Sequence, residues 1–171
     1  TYDSSGISGL GNEKLTLSGN TSVSNANTLA ADTTGVITAT ITEGDMSTLA
    51  NLTETGNAYT VTITDSSVVS SALNTLDGKT TVAVNAAAVT TLTGLAADAN
   101  TAYASSGISG LGNEAVTLSD TSLATTVLNT LDGNTTGAIN AATVTTLTGT
   151  AATANTPYAS AGISGLGNEA V

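Results

Sequence analysis

The chain has 171 residues with 13 acidic and 2 basic side chains and a formal net charge of −11, yet only 9% of it is charged, so its polar surface has to come from Thr, Ser and Asn. Cys, His, Trp and Phe are all absent, which removes thiol chemistry, the usual general base, the common nitrogen and sulfur metal ligands and the stacking platforms of nucleic-acid and sugar sites. Lys14 and Lys79 are the only cations that could displace counterions from phosphates, so nucleic acid is not expected as a partner, and no run approaches the roughly 20 apolar residues of a membrane span.

In chain order, the first feature is Tyr2-Asp-Ser-Ser-Gly-Ile-Ser-Gly-Leu-Gly-Asn-Glu13, which returns nearly unchanged as Tyr103 to Glu114 and Tyr158 to Glu169. An aliphatic-x-(Asp/Ala/Glu)-x-x-aliphatic pattern follows, imperfect at Leu17…Val23 and regular at Ile41…Met46, Ile63…Val68, Val84…Val89, Leu118…Leu123 and Ile139…Val144. The regular starts are 22, 21, 34 and 21 residues apart. A basic period of 21 to 24 residues accounts for most of the chain, the 34 being one period plus the Tyr-Ala-Ser-Ser-Gly-Ile-Ser-Gly-Leu-Gly insertion.

Short alternating runs precede the pattern: Val61-Thr-Ile-Thr64, Val82-Ala-Val84, Val116-Thr-Leu-Ser119 and Ala138-Ile139-Asn140. Period-two alternation with β-branched residues predicts strands with one buried face. Leu123, Val127, Leu128 and Leu131 then lengthen to helical spacing, and Asp77-Gly78 and Asp132-Gly133 are expected to end that helix with a left-handed glycine or a tight corner. Val144, Leu147, Ala151, Ala154 and Tyr158 also have helical spacing, interrupted at Gly149. Tyr103 and Tyr158 recur in phase and are expected to cap a helix end with the hydroxyl outward.

Residues 61–115 align with 116–170 without a gap at 39 identities in 55 positions, a mark of duplication. The organisation read from this is 1–14 as the truncated end of a preceding unit, 15–60 as a divergent unit, 61–115 and 116–170 as full units, and 171 as the start of a following one. All belong to one continuous array. Each period reads as strand, corner, short helix and return, which gives parallel strands with right-handed crossovers. The fold class predicted is a repeat solenoid, a right-handed parallel β ladder with short helices, and a pure β-helix is the alternative. Val116-Thr-Leu118-Ser-Asp120-Thr-Ser-Leu123 resembles the Leu-x-Leu-x-x-Asn-x-Leu segment of leucine-rich repeats in its apolar spacing. The Asn position of that segment falls on Thr121, Ser66 and Ala142, so the geometry is carried over and the family is not.

Glu43, Asp45, Asp65 and Asp120 fall at the predicted corners, which makes them calcium candidates; an Asp at such a corner also caps backbone amides without any metal. The glycine-rich nonapeptide and the EF-hand loop are absent. Apart from calcium no cofactor is expected. Ser and Thr are abundant, but with no His nothing activates them, so an enzyme is not expected. Thr38-Ala-Thr40-Ile-Thr42 and Thr60-Val-Thr62-Ile-Thr64 resemble the Thr-x-Thr ranks of ice-binding β-solenoids, although equivalent positions elsewhere hold Ala83, Asn85 and Ser119.

Leu-Asn-Thr-Leu-Asp-Gly at 73–78 and 128–133, Val-Thr-Thr-Leu-Thr-Gly at 89–94 and 144–149, and Ser-Gly-Ile-Ser-Gly-Leu-Gly-Asn-Glu at 106–114 resemble repeats of giant cell-surface proteins of marine cyanobacteria and related bacteria. The resemblance covers nearly the whole chain and implies a structural segment outside the cell, a fibre, stalk or surface layer that self-associates end to end or with neighbouring repeats. A calcium-dependent adhesin or glycan-binding module, and an ice-binding solenoid, are the rival expectations.

Overall fold

The structure is a computed structural model that describes residues 11–167 and 169. The first copy of the recurring Tyr-to-Glu segment therefore lies mostly outside the described residues. Along the chain run β1 (Leu15–Thr21), α1 (Val23–Asp32), β2 (Ile37–Ile41), α2 (Met46–Leu49), β3 (Ala58–Thr60), β4 (Ser67–Val69), α3 (Ser70–Asp77), β5 (Val84–Asn85) and β6 (Thr91–Gly94). They are followed by α4 (Ala96–Ala104), β7 (Ile108–Ser109), β8 (Ala115–Leu118), β9 (Ser122–Ala124), α5 (Thr125–Asn134), β10 (Ile139–Asn140), β11 (Thr146–Thr148), α6 (Ala151–Ala159) and β12 (Ile163–Ser164).

This is an α/β architecture in which every strand pair among the described residues is parallel. The helices displace the all-β alternative. The sheets are β1-β2-β3, β5-β7, β9-β11 and the five-stranded β4-β6-β8-β10-β12, and Thr62 bridges to Asn85 between β3 and β5. Register partners lie a nearly constant distance apart in sequence: Leu15 opposite Ile37, Val84 opposite Ile108, Thr91 opposite Ala115, Ile139 opposite Ile163.

The alternation read from sequence becomes an inner aliphatic row. Val68, Leu92, Val116, Ile139 and Ile163 are successive register partners across the large sheet, and the first four are buried. Each buried aliphatic side chain contributes about 1.5–3 kcal/mol. The helices bury a stripe at spacing three: Leu73 and Leu76 in α3, Ala99 and Ala102 in α4, Leu128 and Leu131 in α5, Ala154 and Pro157 in α6. Leucine-faced helices thus alternate with small-faced ones. Strands repeat at about 4.8 Å while helices pack at about 8–10 Å, so a helix layer tied to a strand ladder is crowded, and alanine faces relieve it.

Several local expectations are corrected: Leu123 lies in β9 and not on a helix, and the strand expected over Val61–Thr64 is reduced to an isolated bridge at Thr62. Gly78 caps α3 in an ordinary right-handed conformation with φ −66, and Gly133 lies inside α5, which runs on to Asn134. Leu147 sits in β11 and not in a helix; Thr146 and Thr148 flank it, and their branched side chains favour the extended backbone. Gly149 does mark the break before α6, for a steric reason: a Cβ there would run into the Thr125 hydroxyl.

Candidate functional site: polar seams between successive passes of the chain

The four carboxylates singled out from the sequence all accept backbone amides at helix starts. Glu43 Oε2 accepts from Val23 N at 3.0 Å, Asp65 Oδ2 from Met46 N at 2.6 Å and Asp120 Oδ2 from Ala96 N at 2.9 Å, so each caps the first amide of a helix about twenty residues earlier. Asp45 caps its own helix, accepting from Thr48 N at 2.9 Å and Ser47 Oγ at 2.6 Å. These bonds hold the Asp45 carboxyl down at about 2 from an ordinary 3.8, the Ser47 hydroxyl being the largest cause and Thr48 the next. Anionic oxygen at a helix N-terminus satisfies an amide that has no partner within the helix and meets the positive end of the helix dipole. The four carboxylates are spread over α1, α2 and α4, and among the described residues no group of three or more acidic side chains is gathered as an ion would require.

A second carboxylate series lies in the recurring Gly-Asn-Glu. Glu13 Oε2 accepts from Gly11 N at 2.7 Å and Asn12 N at 3.2 Å; Glu114 Oε2 from Gly112 N at 2.8 Å and Asn113 N at 3.1 Å; Glu169 Oε2 from Gly167 N at 2.7 Å. The loop closes on its own side chain. The Gly11 amide leads the causes that lower the Glu13 carboxyl. The tyrosine of the same segment completes the arrangement: Tyr103 donates to Glu114 Oε2 at 3.0 Å and Tyr158 to Glu169 Oε2 at 2.8 Å. Their hydroxyls therefore point to the carboxylate and not outward. Burial raises the Tyr103 hydroxyl above its ordinary 10.0, opposed by a bond with Thr135 and reinforced by the Glu114 charge. Glu114 is fully buried, with its second oxygen unpartnered among the described residues.

A third series stands at helix exits. Thr33, Thr80, Ser105, Thr135 and Ser160 each accept the amide two residues on, at 3.0–3.1 Å. Each hydroxyl proton then reaches back to the preceding pass. Thr33 donates to the Glu13 carbonyl at 2.9 Å, Thr80 to Tyr59 at 2.7 Å and Thr135 to Glu114 at 2.7 Å. Ser105 donates to Asp77 Oδ2 at 2.6 Å and Ser160 to Asp132 Oδ2 at 2.9 Å. Strand-flanking hydroxyls do the same, Thr90 bonding the Ser66 carbonyl and Thr145 that of Thr121, both at 3.1 Å.

The fourth series escaped the sequence reading. Asn74 donates to the Asp98 carbonyl at 2.9 Å, Asn100 to Val127 at 3.0 Å and Asn129 to Thr153 at 3.1 Å, a ladder of amides tying α3 to α4, α4 to α5 and α5 to α6. The visible signal was the dipeptide Asn-Thr, present in α1, α3, α4, α5 and α6. Its threonine bonds back to the carbonyl four residues earlier at Thr28, Thr75, Thr101 and Thr130. A cleft of about 470 Å³ lined by Asp132, Asn155, Thr156, Ala159 and Ser160 lies beside α6. Its one carboxylate is already engaged by Ser160. What these side chains do chemically is hydrogen-bond the chain to itself. Comparison with protein-family models, with curated proteins and with solved structures finds no match to this chain.

Proposed function

We propose that the chain is a structural segment of a long extracellular or cell-surface repeat protein. It is a right-handed solenoid with about 24 residues per turn, and its task is mechanical: to extend as a fibre, stalk or layer. The observation that carries this reading is where the polar side chains go. Thr, Ser, Asn and the corner carboxylates bond mostly from one pass of the chain to the next, which ties neighbouring turns against shear.

The wording shared with giant bacterial surface proteins supports the location. Scarcity of cations and of large exposed apolar groups suits a fibre that resists unwanted lateral association. The chain is read as having no enzymatic role. Antibody to the folded chain should label intact cells of the source organism as strongly as permeabilised ones; labelling only after permeabilisation sinks the surface reading. Thermal unfolding in calcium and in EDTA separates the adhesin alternative, because an ion bound only by the folded state raises the midpoint. Equal midpoints are expected, since Glu43, Asp65 and Asp120 are already bonded to amides. Thermal hysteresis should be absent, because the exposed threonine rank is not maintained along the ladder: Ala58 faces Thr38 and Asn85 faces Thr62.

A further inference from the structure

The 55-residue units do not stack in phase. Adding 55 to β5, β7, β4 and β6 gives β10, β12, β9 and β11, so in-phase units would place each equivalent pair in one sheet. Instead β10 and β12 join the sheet of β4 and β6, while β5-β7 and β9-β11 pair separately. The change falls on β8: Leu92 and Thr93 face Val116 and Thr117 on one side, and Ile139 and Asn140 face them on the other. The register gives 115 − 91 = 24 and 163 − 139 = 24, and the unit holds 55 = 24 + 24 + 7 residues. The surplus of 7 moves each unit's strands to the next strand site. The divergent unit, 46 residues without the insertion, keeps its strands in the single sheet β1-β2-β3.

The interface that one unit makes with the next is thus on display, and the equivalent described residues one unit later are more exposed. Ala96 is buried and its amide capped by Asp120 of the following unit; its equivalent Ala151 is exposed. Tyr103 is half-buried against the core, whereas Tyr158 is 44% exposed. Glu114 is buried and Glu169 only partly so.

We infer that 55-residue units of this sequence dock one strand site further round the axis each time, so that they wind as a screw and the face formed by β11, α6 and β12 accepts an added unit as the equivalent face of residues 61–115 accepts 116–170. The inference rests on the solenoid reading. With strands about 4.8 Å apart, each unit rises roughly 11 Å and turns the repeated surface by roughly a third of a turn. A given row of side chains then persists for only a few strands before it moves round the molecule.

Introduced cysteines give the test, since the chain has none of its own. In the 171-residue protein, Thr93→Cys with Thr117→Cys, which are register partners, should cross-link at least tenfold faster than Ser109→Cys with Thr117→Cys, because adjacent thiols have a high effective concentration. If the second pair wins or neither forms, the solenoid register itself is wrong. The protein is then extended with a further copy of residues 117–170, and the first threonine of the added copy is changed to Cys. Rapid cross-linking to Thr148→Cys is the expected result. Cross-linking to Ser164→Cys instead, or to neither while the Thr93–Thr117 pair forms, overturns the screw docking and leaves the solenoid standing.

Discussion

Gly137 and Gly133 show how much one methyl group decides in this chain. A Cβ on Gly137 would run into the Glu114 carbonyl and the Ala115 amide, backbone that cannot move aside, whereas one on Gly133, inside α5, would meet nothing. Gly137→Ala should therefore cost about 1–3 kcal/mol in urea unfolding by overpacking, and Gly133→Ala should gain up to about 1 kcal/mol from helix propensity. Equal effects would mean that the pass through Gly137 is not seated against Glu114. Titration adds a second test at this scale. Asp45 and Glu13 are lowered in the folded chain, so their contribution is present above the unfolded carboxyl range and lost as pH falls from about 4 to about 2. Tyr103, Tyr59 and Tyr158 are raised, so theirs is present below pH 10 and lost as pH rises past it. Melting temperature against pH should fall at both ends, and Asp45→Asn should flatten the acid limb. An acid limb unchanged by that substitution would assign it to other groups.

Among the elements, the helix ends and the asparagine ladder carry separable loads. Asp120→Ala removes the cap on α4, and Asn129→Ala removes the bond from α5 to α6. Each should cost about 1 kcal/mol, but hydrogen exchange should quicken in the first turn of α4 for one and between α5 and α6 for the other. The same pattern from both variants would show that the seams are not local. The strands at Leu118 and Ile139 were legible, because those residues obey period two, whereas β4, β6, β9 and β11 hold one buried aliphatic each and too few residues to show an alternation. The corner position of Glu43, Asp65 and Asp120 was legible too, because acidic side chains suit turns where they accept backbone amides, although the amides they accept belong to helices about twenty residues earlier. The exit clasps were not: a hydroxyl in Thr-Thr-Gly or Ser-Ser-Gly looks the same in sequence whether it meets water or the previous pass. Leu147 misled because apolar spacing of three to four around a glycine fits a helix and a strand-then-helix equally well. The sideways step at β8 was hidden for a similar reason. Both strand types bury one aliphatic between small polar neighbours, so spacing does not say which strand site a segment enters, and the ten-residue insertion looks like a loop.

At the scale of the whole molecule, that step makes the units share a sheet. Had equivalent strands stacked in phase, each sheet would hold equivalent strands of both 55-residue segments; as it is, β4-β6-β8-β10-β12 holds two strands from residues 61–115 and two from 116–170, with β8 between them. Val116 is the keystone of this arrangement, buried and facing Leu92 on one side and Ile139 on the other. A carboxylate there has no partner and no water, a cost of several kcal/mol. Ile37 is as deeply buried but faces Leu15 in the separate sheet β1-β2-β3. Val116→Asp should therefore strip hydrogen-exchange protection from β4 and β6 as well as from β10 and β12. Ile37→Asp should strip it from β1, β2 and β3 and leave a second, later urea transition for residues 61–170. If Val116→Asp unprotects only residues 116–170, the two units are energetically separate and the shared sheet does not couple them.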